Sequence, residues 1–149
     1  MIEYDIRHSP NKKYIRQVMQ AILDFEHEHG KGIEAKVADK VGLPPEGVFA
    51  FAPNGELLGG LTYRVYNDWV FMEQGFVWEP WRRMGIYADL IDTLEQAARK
   101  TGLAGMEVWT YTWEAPAVYE ALGFERGAVL RDFPRGNTSI EYQKYFGEA

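Results

Sequence analysis

The 149-residue chain has no cysteine. That excludes disulfides, a thiolate nucleophile and cysteine-based metal sites, and it fits a reducing compartment. Histidine is nearly as scarce, with three residues. His27 and His29 are two apart on a helical stretch and face different sides, so they make a poor metal pair; no metal is expected. Long apolar runs are also missing. None approaches the ~20 residues of a membrane span, and residues 1–10 carry no apolar core of a signal peptide. A cytoplasmic protein is the expectation. Basic residues are in deficit, 16 Lys and Arg against 22 Asp and Glu, for a formal charge of −6. Nucleic acid as a partner is therefore disfavoured. A cationic or amine-bearing partner fits this charge, as does simple solubility.

What the chain has is aromatic weight: five Trp, nine Tyr and eight Phe. Some of these must line a core, and a surface cluster would mark a pocket or a subunit contact. The length suits one domain, 1–149, with a sizeable core. No repeat, linker or low-complexity tract divides it.

Periodicity orders the elements. Residues 2–8 alternate apolar and polar and read as a strand. Ser9-Pro10 starts a helix, whose face holds Ile15, Val18, Met19, Ile22 and Phe25 and which Gly30 ends. A short helix near 35–41 is possible before the Pro44-Pro45 break. Strands follow at 48–52, 57–66 and 69–78, with the first two joined by the hairpin turn Pro53-Asn54-Gly55. Gly59-Gly60 inside the second suggests a bulge or close backbone packing. A long amphipathic helix carries Ile86, Leu90, Ile91, Leu94, Ala97 and Ala98 on one face and stops at Gly102. A strand at 106–112, a short helix at 115–122 and strands at 124–130 and 139–145 complete the chain. A strand–helix–strand crossover after an antiparallel meander predicts a mixed α/β sheet.

The sharpest local feature joins the strand at 69–78 to the long helix: Arg82-Arg83-Met84-Gly85-Ile86-Tyr87-Ala88. A helix N-terminus leaves backbone N–H groups unpaired and carries partial positive charge. Glycine allows an anion close to the backbone, and two arginines add charge. The segment reads as a phosphate-binding turn. It lacks the Gly-Lys-Ser/Thr of a Walker loop and the three spaced glycines of a Rossmann turn.

This run resembles the Gln/Arg-x-x-Gly-x-Gly/Ala signature of the GNAT superfamily of acyl-CoA-dependent N-acyltransferases. Val77-Trp78-Glu79-Pro80-Trp81-Arg82 stands where members carry Val-x-x-Glu-Tyr-Arg. Ala115-Pro116-Ala117-Val118-Tyr119-Glu120-Ala121-Leu122-Gly123-Phe124 matches a second landmark, Ala…Phe-Tyr…Leu-Gly-Phe. The resemblance spans about 48–146 and is sharpest over 69–124. Two positions depart from it: Tyr87 replaces the second Gly or Ala, and Thr112 replaces a common Asn.

The resemblance implies a mostly antiparallel sheet of six to seven strands flanked by helices, with the fourth and fifth strands (69–78 and 106–112) splayed. It implies acetyl-CoA as acyl donor, its pyrophosphate on the turn (Arg82, Arg83, Met84, Gly85, Ile86, Tyr87 and Ala88) and its pantetheine arm beside Val77. It implies that Tyr119 protonates the departing CoA thiolate; a Tyr is protonated at neutral pH and can donate. As a residue alone, Tyr119 could equally pack a helix on the sheet. Glu73 is the candidate base for the ammonium of the acceptor, or else a solvated strand residue, with Glu79 and Glu114 as lesser candidates. The expected reaction is acetyl transfer to a primary amine of a small molecule or peptide by direct attack. The alternatives are an acyl-CoA-sensing module without turnover and a protein-interaction domain. A homodimer is compatible with this reading.

Overall fold

A computed structural model of the chain describes residues 3, 5–7, 12–30 and 47–147. The strand expected over 2–8 falls outside them apart from residues 3 and 5–7, none of which is in a strand, and the short helix expected near 35–41 lies wholly outside them. Contacts divide the chain into two units, Met1–Lys36 and Val37–Ala149. The first contains α1 (Lys12–His29). Its apolar residues recur at helical spacing, and His27 and His29 sit in the last turn, where a cation would oppose the negative end of the helix dipole. The Gly30 N–H closes the helix on the Glu26 carbonyl at 2.7 Å.

The second unit is built on β1 (Val48–Phe51), β2 (Leu57–Tyr66), β3 (Trp69–Val77), a single 3-10 turn (Glu79–Trp81), α2 (Ile86–Lys100), β4 (Gly105–Tyr111), α3 (Ala117–Ala121), β5 (Glu125–Arg131) and β6 (Thr138–Tyr145). The six strands lie in the order β1-β2-β3-β4-β6-β5. Every neighbouring pair is antiparallel except β3 and β4. This is the mixed, mostly antiparallel sheet the pattern predicts, and β3 and β4 are its fourth and fifth expected strands.

The core follows from the two periods. On α2, Leu90, Ile91, Leu94 and Ala98 share a face and are buried. They pack with Leu61, Val70, Met72, Met106, Val108, Ile140 and Tyr142 from four strands. Each Val, Leu, Ile or Met among them contributes roughly 1.5–3 kcal/mol on burial. Glu95, also buried on α2, is held by Lys144 Nζ of β6 at 2.7 Å and Arg99 Nε at 2.9 Å.

Where β3 meets β4 decides the site. They pair only from Trp69–Gly105 to Met72–Val108. Beyond that β4 stays with β6 through Tyr111, while β3 stays with β2 through Val77. The β2–β3 register slips between Thr62, opposite Gln74, and Tyr63, opposite Met72. Glu73 is the extra residue. Such a bulge bends its strand and raises its twist, which carries β3 away from β4. Gly59-Gly60 pair regularly with β3, but on the β1 side the register slips beside Gly59, between Ala50 opposite Gly59 and Phe51 opposite Leu57. A Cβ at Gly59 would lie 2.8 Å from the Phe76 carbonyl, and one at Gly60 2.7 Å from the Phe49 ring. Both readings of this pair hold: a bulge adjoins Gly59, and both glycines are closely packed.

Candidate active site

The chain leaves β3 through the 3-10 turn, and two left-handed residues then redirect it: Arg83 (φ 65°) and Gly85 (φ 81°). Gly85 is the N-cap of α2 and has no side-chain cap. Its carbonyl accepts the Asp89 N–H at 3.0 Å. The N–H groups ahead of Asp89 are therefore the orphan donors of the helix start. A Cβ at Gly85 would meet nothing within 4 Å, so glycine is required here for its φ and not for space. Arg82 ties the turn back to β3: its Nε donates to the Val77 carbonyl at 2.7 Å, and its guanidinium lies over the Phe76 ring at 5.1 Å.

The split between β3 and β4 opens into a cleft of about 640 Å³. Gly75 and Val77 form one wall, the Gly85–Ala88 start of α2 another, and Trp113, Glu114 and Val118 a third. The Trp78 N–H donates to the Leu58 carbonyl of β2. Backbone groups alternate sides along an antiparallel strand. Those of Gly75 and Val77 therefore aim away from β2, into the gap. A strand edge that β4 has left, with the Val77 carbonyl engaged by Arg82 Nε, thus leads to an unpaired helix N-terminus.

Tyr87 projects from the first turn of α2 into this cleft. Its ring lies against Gly75, where an added Cβ would come within 2.5 Å of the hydroxyl. Its Oη is 2.7 Å from that of Tyr119. Tyr119, on α3, is only 4% exposed. Its ring packs against those of Tyr87, Phe124 and Tyr142 at centroid distances of 5.5–6.2 Å. Burial pushes the Tyr119 hydroxyl far above the ordinary tyrosine range, and Tyr87 and Glu114 add to the shift. Burial also raises Tyr87, but its hydrogen bond with Tyr119 works against the rise.

The cleft unites the expected Val77, Arg82, Arg83, Gly85, Ile86, Tyr87 and Ala88. Met84 is exposed and is not on its walls, and neither is Tyr119 or Glu73. Glu73 sits on the bulge with its carboxylate 3.6 Å from Arg64 Nε. Of the lesser candidates, Glu79 lies in the 3-10 turn, while Glu114 lines the cleft and accepts the Tyr111 N–H at 2.9 Å. One carboxyl went unnoticed in the sequence. Glu107, one residue before the last β3–β4 pair, is pushed up to about 7 by burial and by Glu141, with Arg64 opposing. Gly75 lies outside the motifs, although a glycine inside a strand pattern signals close approach by another group.

The profile of the Acetyltransferase (GNAT) family matches residues 11–124. The chain belongs to this family. Among relatives, a blasticidin-S acetyltransferase of Streptomyces morookaense is 34% identical over 92 residues, 61% of this chain and 68% of that one. A GNAT-type fold also recurs in solved structures. An acetyltransferase from Bacillus cereus superposes with a TM-score of 0.68 at 19% identity, covering 95% of this chain and 98% of that one. One from Bacillus anthracis, in complex with acetyl coenzyme A, superposes with a TM-score of 0.60 at 18% identity, covering 70% and 66%. As a GNAT protein the chain is an acyltransferase with acetyl-CoA as its donor. The donor set of the cleft suits that molecule. The start of α2 offers backbone N–H groups to a pyrophosphate, and the free edge of β3 can pair with an amide-bearing arm as an added strand would.

Proposed function

We propose that this protein transfers the acetyl group of acetyl-CoA to a primary amine by direct attack. The observation that carries the reading is the edge of β3 that β4 leaves, with the Val77 N–H aimed into the gap and its carbonyl held by Arg82, running into the open N-terminus of α2 within one cleft. The pyrophosphate would rest on the Gly85–Ala88 amides, with Arg82 and Arg83 adding positive charge. The pantetheine amides would pair along Val77. An N–H on this edge would polarise the thioester carbonyl as negative charge develops on it.

The amine nitrogen attacks the carbonyl carbon, the C–S bond breaks, and the sulfur leaves with its electron pair. The tyrosine pair at the inner end of the cleft supplies the proton that the thiolate takes up. The acceptor nitrogen sheds two protons: the ammonium proton passes to Glu73 through water, because Glu73 stands on the bulge and off the cleft walls, and the second leaves to water as the amide forms. A small-molecule acceptor draws support from the relative named for blasticidin S, and a peptide N-terminus has the same amine chemistry.

The test has two stages. Acetyl-CoA at 100 times its Kd should stabilise the protein by about 2.7 kcal/mol in thermal denaturation. Free-thiol release should then depend on an added amine from a panel of antibiotics, amino acids, polyamines and peptides. No stabilisation by acetyl-CoA would refute the donor assignment. Stabilisation without thiol release from any amine would leave an acyl-CoA-binding protein in place of a transferase.

A further inference from the structure

We propose that Tyr87 is the hydroxyl that protonates the departing thiolate, and that Tyr119 acts behind it as a positioning residue. The proposal rests on the acetyl-transfer reading of the cleft and revises the expectation that Tyr119 donates directly.

Three observations carry it. Tyr87 is on the cleft wall beside Gly75 and Val77, whereas Tyr119 is 4% exposed, packed among Phe124 and Tyr142, and absent from that wall. The two hydroxyls are 2.7 Å apart, so each satisfies the other. Tyr87 is held from its other side by Gly75, which leaves its hydroxyl little room to swing away. Either hydroxyl can donate in the resting pair. Once Tyr87 has given up its proton, only Tyr119 can donate to the phenolate that remains.

The step balances. The N–C bond forms, the C–S bond breaks with its electron pair on sulfur, and the Tyr87 proton moves to sulfur. The Tyr87 phenolate, held by the Tyr119 O–H, regains a proton from water, into which the acceptor nitrogen releases its second proton as the amide forms, the first having passed to Glu73. The two environments support this division of labour. Burial raises both hydroxyls, and the Tyr87–Tyr119 hydrogen bond raises Tyr119 further while lowering Tyr87. Environments that push two titrating groups apart assign their roles. Glu114 is the carboxylate that acts on both hydroxyls, and it disfavours ionisation of each.

The experiment compares Tyr87→Phe, Tyr119→Phe and the double variant in thiol release from acetyl-CoA, using the most active amine of the panel. Tyr87→Phe should lower kcat by roughly 10²–10⁴ with KM for acetyl-CoA little changed. Tyr119→Phe should cost less, and the double variant should be no slower than Tyr87→Phe, because the two act as one unit. A Tyr119→Phe variant slower than Tyr87→Phe, or an unchanged kcat in Tyr87→Phe, overturns the assignment while leaving the transferase reading intact. A wild-type protein inactive on every amine removes both. A second readout needs no acceptor. In protein labelled with ¹³Cζ-tyrosine, Tyr87 should titrate before Tyr119 as pH rises, and Tyr119→Phe should move the Tyr87 titration to higher pH. The reverse order overturns the proposal.

Discussion

Gly75→Ala tests the tyrosine pair from the opposite side. The added Cβ would lie 2.5 Å from Tyr87 Oη and 2.9 Å from its ring, and its three nearest neighbours all belong to Tyr87. A tyrosine hydroxyl is ordinarily a mobile tip that can give way. This one is tethered at 2.7 Å to Tyr119, itself buried. Either the ring swings out and forfeits a hydrogen bond worth about 1 kcal/mol, or β3 moves and the overpacking costs roughly 1–3 kcal/mol. The two routes together bracket a loss of about 1–3 kcal/mol, or about 3–9 °C in Tm for a domain of this size. In a Tyr87→Ala background the obstacle is gone. Replacing an ordinary strand glycine by alanine then stabilises by roughly 0.5–1 kcal/mol. The same substitution should therefore change sign between the two backgrounds, a coupling well above the ~0.5 kcal/mol scatter of independent sites. Urea denaturation of the four proteins measures it. Equal destabilisation in both backgrounds would refute the contact, and with it the placement of Tyr87 on the cleft wall.

Further outcomes follow from other sites. Gly85→Ala forces alanine to φ 81°, which should cost about 1–2 kcal/mol and weaken acetyl-CoA binding in calorimetry. Gly102→Ala imposes a similar strain at φ 76° beyond the other end of α2 and should destabilise without changing that affinity. Lys144→Met leaves the buried Glu95 with Arg99 alone and should cost about 3 kcal/mol in urea denaturation; adding Glu95→Gln should recover part of it. Glu107 has its folded pKa raised from 4.5 to about 7, chiefly by burial. The native state therefore binds more protons than the unfolded state between those values, and stability falls as pH rises through them. Glu107→Gln should flatten that slope in denaturation series at stepped pH; an unaltered slope would remove Glu107 as its source.

Most of the frame was legible because each element obeys one period. The strand read at 57–66 has those bounds in β2, and α2 carries its apolar stripe and ends at Lys100, two residues before the expected Gly102. Short elements drifted at their ends. The helix read at 115–122 is Ala117–Ala121, because Ala115 takes a left-handed φ of 61° and Pro116 becomes the cap. The turn was legible as a motif, and its members gather on the cleft. Contacts across sequence distance were not legible. Tyr87 was visible as a large residue in a small one's place, but Gly75, which makes the room, and Tyr119, which takes the hydrogen bond, lie on other elements.

The bulge at Glu73 links these parts. Before it, Val70 and Met72 face α2 and are buried. Unbroken alternation would put Gln74 and Phe76 on that face next. The extra residue shifts the phase by one, so Gly75 and Val77 take those places instead. Phe76 on the inner face would occupy the room that Tyr87 needs, and the backbone of Val77 would turn toward β2. One inserted residue therefore bends β3 off β4, puts a glycine opposite the tyrosine and aims the Val77 amide into the gap. Glu73 bears a charge that invites a catalytic role, yet its clearest contribution is to the path of the backbone. A side-chain substitution at Glu73 and a change in the length of β3 are thus different perturbations of the same cleft: the first alters one carboxylate, the second reverses every side chain and amide that follows it.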